Sequence, residues 1–502
     1  MADVVVTPKP LSEQQVVDVA RHGASVELAP EAVAAMERSN ELVQRLARSD
    51  RPVYGISTGF GALATTHIPV DRRADLQRSL IRSHAASNGD LVEREVVRGL
   101  MLLRLRTLAT GHTGVRPVVA HTLAALLNAG IEPAVREFGS LGCSGDLAPL
   151  AHVALTLMGE GECAAAMRDA GVEPVVLAEK EGLALINGTE GMLATLVLAL
   201  HDLRRLVTTA DLAAAMSVEA LLGTDRVFAD ELQRLRPQPG QALSAANMRA
   251  ALAGSAIVAS HRGPDDTRVQ DAYSLRCAPQ VAGACRDTIN HAARVASYEL
   301  ASAIDNPVVL EDGRVESNGN FHGAPVGYVL DFLAIAAADL ASIAERRTDR
   351  ILDKNRSHGL PPFLAHEPGV DSGHMIAQYT QAGLVSEMKR LAVPASVDSI
   401  PSSAMQEDHV SMGWSAARKL RRSVDALTRV LAVEVLTAAR AIDLRAPLQP
   451  AAATGAVVAA LRERVAGPGP DRYLAPEIEA TVVAVRDGVL LAAAESVTGP
   501  LS

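Results

Sequence analysis

A mainly α-helical protein built on long bundled helices is what this chain predicts, on three observations. Proline is missing from three unusually long runs, residues 192–236, 326–360 and 402–446. In the third run Leu420, Val424, Leu427, Val430, Leu431, Val433 and Leu436 recur at three- and four-residue steps, with Arg418, Lys419, Arg421, Arg422 and Arg429 between them, the pattern of one buried helix face. The 502 residues are 48% hydrophobic yet include only six Phe, six Tyr and one Trp, so the core must be aliphatic.

Each run reads as a helix. At about 40 residues and about 1.5 Å per residue it would be about 60 Å long, close to the diameter of a compact chain of this size. Length alone suggests about three domains of about 150 residues, but helices this long do not belong to small separate domains. The expected layout is one continuous body: a head in residues 1–191, a central bundle in 192–446 and a helical segment in 447–502. Gly223 or Gly413 could break a run into two helices. Ser402 and Ser403 followed by Gln406 and Glu407 offer a capping-box-like start to the third. Alanine clusters at 213–215 and 336–338 permit close helix approach, within the chain and between subunits. Polar turns at 54–61, 111–117, 139–145, 187–191, 263–264, 306–307, 318–323 and 357–362 are where a site would be built.

A formal charge of −10 argues against nucleic acid as the main partner, and a positive mean hydropathy excludes a disordered chain. Cys143, Cys163, Cys277 and Cys285 form no CxxC pair or metal-ligand spacing, and read as reduced thiols. The N-terminus lacks a basic segment followed by an apolar one, and no run of 18 apolar residues occurs. A cytoplasmic enzyme with no membrane partner is the expectation. Only Lys9, Lys180, Lys354, Lys389 and Lys419 could form a Schiff base; the last four sit in charged, helix-like surroundings without a phosphate cradle. The 14 histidines include no HExxH, so neither pyridoxal phosphate nor zinc is expected.

The segment GSLGCSGDLAPL (residues 139–150) reads on its own as a tight turn into a helix, with Asp146 as cap. A small residue, Ser and Gly in sequence can also cyclise, the Gly145 nitrogen attacking the carbonyl of Cys143. Loss of two waters then leaves an exocyclic methylene derived from Ser144. Gly145 is needed because it has no Cβ to obstruct the attack. Such an electrophile suits loss of ammonia from an α-amino acid, whose β-hydrogen is barely acidic and whose amine leaves poorly.

That segment joins VYGISTGFGALA (53–64), RSHAA (82–86), LALINGTEGM (183–192), VQDAYSLRCAPQ (269–280), SNGNFHG (317–323) and AMQEDHVSMG (404–413). Seven motifs in this order resemble the aromatic amino acid lyases that use a methylidene-imidazolone (MIO) group, and within them the histidine ammonia-lyases most closely. The resemblance implies a fumarase/aspartase-like helical bundle with an MIO-bearing head and a homotetramer whose sites combine several chains. It further implies conversion of L-histidine to trans-urocanate and ammonia, the first step of histidine degradation, with no external cofactor and no metal.

By the same resemblance Cys143, Ser144 and Gly145 form the MIO group, with Asp146 assisting closure. Cys143 departs from the commonest triad, Ala-Ser-Gly, but its side chain is not consumed. Tyr54 is implied as the base. A phenol ionises near pH 10, about three units above neutrality, so such a site must supply positive charge or hydrogen bonds. Asn187 is implied to hydrogen-bond the ring carbonyl, Tyr273 to touch the reacting centre, and Gln270 and Phe321 to lie in the substrate site. Arg276 suits the substrate carboxylate, which a guanidinium binds bidentately.

Substrate choice falls on His84 and Glu407. A glutamate pairs with an imidazole, whereas lyases for phenylalanine or tyrosine usually carry glutamine, since beside a phenyl ring the carboxylate would be an unpaired buried charge. The alternative is an MIO lyase or 2,3-aminomutase for tyrosine, phenylalanine or a modified amino acid. One local departure is Ser87-Asn88, where histidine lyases usually continue with Gly. A catalytically silent scaffold is disfavoured because Ser144, Tyr54 and Arg276 are all present.

Overall fold

The computed structural model describes residues 3–49, 53–59, 61–63, 65–263, 266 and 268–502; Phe60, Ala64 and Pro264 of the motifs and turns above lie outside the described residues. It is mostly helical, and it divides into two compact units. The first comprises Met1–His201, Ala292–Asp331 and Pro394–Arg418, and the second Asp202–His291, Phe332–Val393 and Lys419–Ser502.

The first unit is organised around the helix Arg94–Ala109, in which every residue from Val96 to Ala109 is buried, Arg98, Arg104 and Arg106 included. The helices Glu13–Arg21 and Pro117–Asn128 pack against it, while Leu147–Leu157 packs against Arg73–His84 and Glu181–Ile186. Glu13–Arg21 starts at a capping box, Ser12 accepting from Gln15 N and Gln15 reaching back to Ser12 N. The arginines of the central helix cross-link its neighbours: Arg98 donates to Val19 O at 3.0 Å and to Leu127 O at 3.1 Å. Strands are short, Val4–Val6 running parallel to Val26–Leu28, Asn88–Leu91 antiparallel to Arg136–Phe138 and Val308–Val309 antiparallel to Val315–Glu316.

The three proline-free runs do contain long helices, but shorter than the sequence suggests: Glu190–Ala220, Ala324–Leu352 and Gly413–Asp443, of 31, 29 and 31 residues. The first stops where Leu222 takes φ +51° beside Gly223. The third starts only at Gly413, because Ser403, Ala404, Met405 and Met412 all have positive φ, a backbone no helix accommodates. The Ser402–Ser403 capping start is therefore corrected to a loop. On length and hydropathy Ala324–Leu352 could cross a membrane, but 61% of its apolar window is buried, as in a core helix.

The second unit buries charge in hydrogen-bonded sets. Glu434 pairs with Arg347 and accepts from Ser217 at 2.8 Å; Asp211 pairs with Arg286 and accepts from Asn247 at 2.9 Å. Ala213, Ala214 and Ala215 are buried here, consistent with the close helix approach expected of them.

Candidate active site

The turn 139–145 is pinned from several sides. Gly142 O accepts from Ser411 Oγ at 2.6 Å and from Gly323 N at 3.2 Å, and Leu141 O accepts from Met412 N at 2.8 Å. At Gly145, φ is +80° and a Cβ would fall 2.0 Å from Gly188 O, so glycine is demanded by space as well as by conformation. The Asp146 N–H donates to that same carbonyl at 2.7 Å. Asp146 occupies the N-cap position of Leu147–Leu157, but its side chain does not cap. It accepts instead from Met192 N at 2.9 Å and from Ser140 Oγ at 3.0 Å. The indole of Trp414 closes the packing: its Nε1 donates to Glu137 O at 2.7 Å, and a Cβ on Gly191 would lie 2.5 Å from its ring and 3.0 Å from Asp146 Oδ2.

Ser144 faces a cavity of about 640 Å³ that Tyr54, His84, Asn187 and Glu407 also line. Its remaining wall is largely apolar, with Leu76, Leu80, Leu147, Leu183 and Ile186, the usual make-up of a small-molecule site. Glu407 reaches the turn directly: Ser144 Oγ donates to Oε1 at 3.0 Å and Cys143 Sγ to Oε2 at 3.2 Å. His84 Nδ1 lies 2.9 Å from Leu80 O. Ser83 Oγ lies 3.0 Å from the same nitrogen. Tyr54 Oη accepts from Gly61 N at 3.2 Å. Asn187 Nδ2 lies 3.5 Å from both Leu183 O and Asn306 O.

Residues 11–463 match the family described as aromatic amino acid lyase. The chain belongs to the aromatic amino acid lyase family. It is 65% identical to a histidine ammonia-lyase of Streptomyces avermitilis, with 100% of both chains covered. Among solved structures it is similar to tyrosine aminomutase from Streptomyces globisporus, at TM-score 0.94 and 39% identity over 100% of both chains. Histidine ammonia-lyase from Trypanosoma cruzi superposes at TM-score 0.91 and 37% identity, covering 99% of this chain and 96% of that one.

Behind the cavity wall this aromatic amino acid lyase carries buried charge centred on Arg104, which lies outside the motifs. Arg104, fully buried, donates to Asn187 O at 2.7 Å, Ala184 O at 3.1 Å and Ile304 O at 2.8 Å, and pairs with Glu190 at 2.6 Å. It thereby ties the end of Glu181–Ile186 to the segment leading into Asn306, another residue of the wall. Lys180, expected among charged helical surroundings, is fully buried against Asp305. Burial holds the Asp146 carboxyl up to about 7 and pushes the Cys143 thiol up to about 12, with Glu407 adding to the effect. Both groups therefore hold protons that an exposed counterpart would release more readily.

Gln270, Tyr273 and Arg276 belong to the second unit. There the Arg276 guanidinium sits over the Tyr273 ring, 4.5 Å from its centroid, and Tyr273 is 70% exposed. Phe321, in the first unit, is half-buried in a turn and is absent from the cavity lining. Ser87 and Asn88 do not line it either; Ser87 N donates to His152 Nε2 at 3.3 Å, and Asn88 opens the strand Asn88–Leu91. Sequence reasoning passed over Arg104 and Ser140 and read Ser402 only as a helix cap, while the turn 306–307, where it expected a site, does bring Asn306 to the wall. Arg104 alone had a readable signal, as a charge inside the apolar run LMLLRLRTLA.

Proposed function

We propose that this lyase is a histidine ammonia-lyase, releasing ammonia from L-histidine to leave trans-urocanate, the opening step of histidine degradation. The observation that carries the reading is the Glu407 carboxylate, held beside Ser144 in a cavity that His84 also lines. A carboxylate there accepts an imidazole N–H, whereas the phenyl ring of a phenylalanine substrate offers it no donor. The full-length likeness to a histidine ammonia-lyase supports the same choice over an aminomutase.

The residues at the turn fit an MIO group formed from Cys143, Ser144 and Gly145: the turn is pinned, Gly145 leaves no room for a Cβ, and Ser144 points into the cavity. Such a group supplies an electrophile that no ordinary side chain offers. Asp146 assists closure, its carboxyl fixed by Met192 N and Ser140 Oγ. Asn187 is held in the wall through its backbone by Arg104, with its amide available to the ring carbonyl. Tyr54 removes the substrate β-proton, with the Gly61 N–H a fixed donor to its oxygen. Glu407 and His84 hold the imidazole. Arg276 binds the carboxylate, and Gln270, Tyr273 and Phe321 complete the substrate site in a cytoplasmic homotetramer whose active sites draw on several chains.

Purified protein should release urocanate from L-histidine with no added cofactor, and its intact mass should be two waters below that of the sequence. Faster turnover of tyrosine or phenylalanine, or a β-amino acid product, would replace the histidine reading with the lyase or aminomutase alternative. An unmodified mass with full activity would remove the MIO group from the mechanism.

A further inference from the structure

The segment that delivers Glu407 closes on itself. Ser402 N donates to Glu407 O at 2.9 Å and Glu407 N to Ser402 O at 3.3 Å, while Ser403, Ala404 and Met405 between them have φ of +51°, +52° and +68°. Three consecutive left-handed residues other than glycine persist only where the surroundings over-determine them, and such segments concentrate at ligand clamps. Here the outcome is a carboxylate with both oxygens engaged. Oε2 accepts from Ser402 Oγ at 2.9 Å and from Cys143 Sγ at 3.2 Å, and Oε1 from Ser144 Oγ at 3.0 Å.

These donors do not have the same lifetime. When Ser144 dehydrates, its Cα–H and Cβ–O bonds break, a carbon–carbon double bond forms and water leaves with the hydroxyl. The donor to Oε1 goes with it, and the two donors to Oε2 stay. We infer that Cys143 and Ser402 are positioning residues for substrate recognition, holding Oε2 of Glu407 so that Oε1, released when Ser144 loses its hydroxyl, accepts the imidazole N–H of the substrate. The inference rests on the histidine reading above. It gives Cys143 a task that the commoner alanine cannot perform, because alanine has no donor. Before dehydration Ser144 Oγ takes one of the two acceptor positions of Oε1; dehydration frees that position as it creates the electrophile.

The test compares the wild type with Cys143→Ala/Ser402→Ala and with Cys143→Ala/Ser402→Thr, which restores one hydroxyl. Intact mass is measured first, then binding of imidazolepropionate and of phenylpropionate by calorimetry, and kcat and KM for histidine separately. All three proteins should lose two waters. The double alanine variant should bind imidazolepropionate about tenfold more weakly and show a matching rise in KM, since a hydrogen bond to a charged group is worth about this much. Its affinity for phenylpropionate should stay within about twofold of the wild type, and the threonine variant should recover most of the loss. Unchanged imidazolepropionate affinity, an equal loss for phenylpropionate, or variants that do not lose water would each overturn the inference, the last by assigning the pair to ring closure. A wild type that neither binds imidazolepropionate nor deaminates histidine would overturn the histidine reading, and the inference with it.

Discussion

Asp146 and Met192 are joined by a 2.9 Å hydrogen bond from the Met192 N–H to Asp146 Oδ2, which fastens the turn carrying Ser144 to the first turn of the helix Glu190–Ala220. The bond lies where no water reaches, since neither residue has measurable exposure. Burial, with the Glu190 charge adding to it, raises the Asp146 pKa from 3.8 to about 7 despite three donors, at Met192, Ser140 and Gly191, that favour the ionised form.

A folded-state pKa above the unfolded value means that the native protein binds this proton more tightly. The stabilisation is complete below about pH 4 and is lost as pH rises through about 7. Relative to Asp146→Asn, the wild type should therefore lose up to about 4 kcal/mol of unfolding free energy between those limits. Denaturant midpoints of both proteins across that range check the slope, and parallel curves would contradict it.

Ser144→Ala removes the only source of the methylene. It should lower kcat for histidine by at least about a thousandfold, equivalent to about 4 kcal/mol of barrier, while thermal unfolding stays near that of the wild type. Mass spectrometry should find the full, uncyclised mass.

Gly145→Ala should fail for a steric reason. Its Cβ would meet Gly188 O at 2.0 Å with φ at +80°, so the turn must move, at a cost above about 3 kcal/mol. The expected outcome is poor soluble yield, with any recovered protein uncyclised. A cyclised, active variant would show that the turn tolerates displacement.

Glu407→Gln keeps the size of the side chain and removes its charge. Loss of a charge-assisted acceptor should lower kcat/KM for histidine by about tenfold to a hundredfold and leave turnover of phenylalanine unchanged or higher. Competition assays with both amino acids read the ratio directly.

Arg104→Met leaves Glu190 buried without its cation and should destabilise the protein by about 3–5 kcal/mol. Adding Glu190→Gln should recover part of that loss by removing the stranded charge. Urea unfolding of the two variants separates these terms.

The long helices were legible because proline cannot sit inside one, and the 3.6-residue rhythm around Leu420–Leu436 marks a buried stripe. Their ends were not, since they depend on local backbone: Leu222 adopts positive φ where its type predicts helix, and residues 402–412 form a loop although their composition suits a helix. At the cavity, Tyr54, His84, Ser144, Asn187 and Glu407 were legible as members of motifs. Ser402 was read only as a helix cap, because its bond to Glu407 depends on three left-handed residues that sequence does not announce. Asn306 was read only as part of a polar turn where a site could be built, without the Arg104 bond to Ile304 O that ties its segment to the wall.

Trp414 is the one tryptophan of the chain, and its ring is packed over Gly191 beside Asp146. Red-edge excitation will therefore draw emission from a single fluorophore placed next to the turn that cyclises. No label is needed: a stopped-flow trace of that emission follows the closing of this corner of the protein during refolding, and the same trace for Ser144→Ala shows how far that closing depends on the ring already made in the wild type.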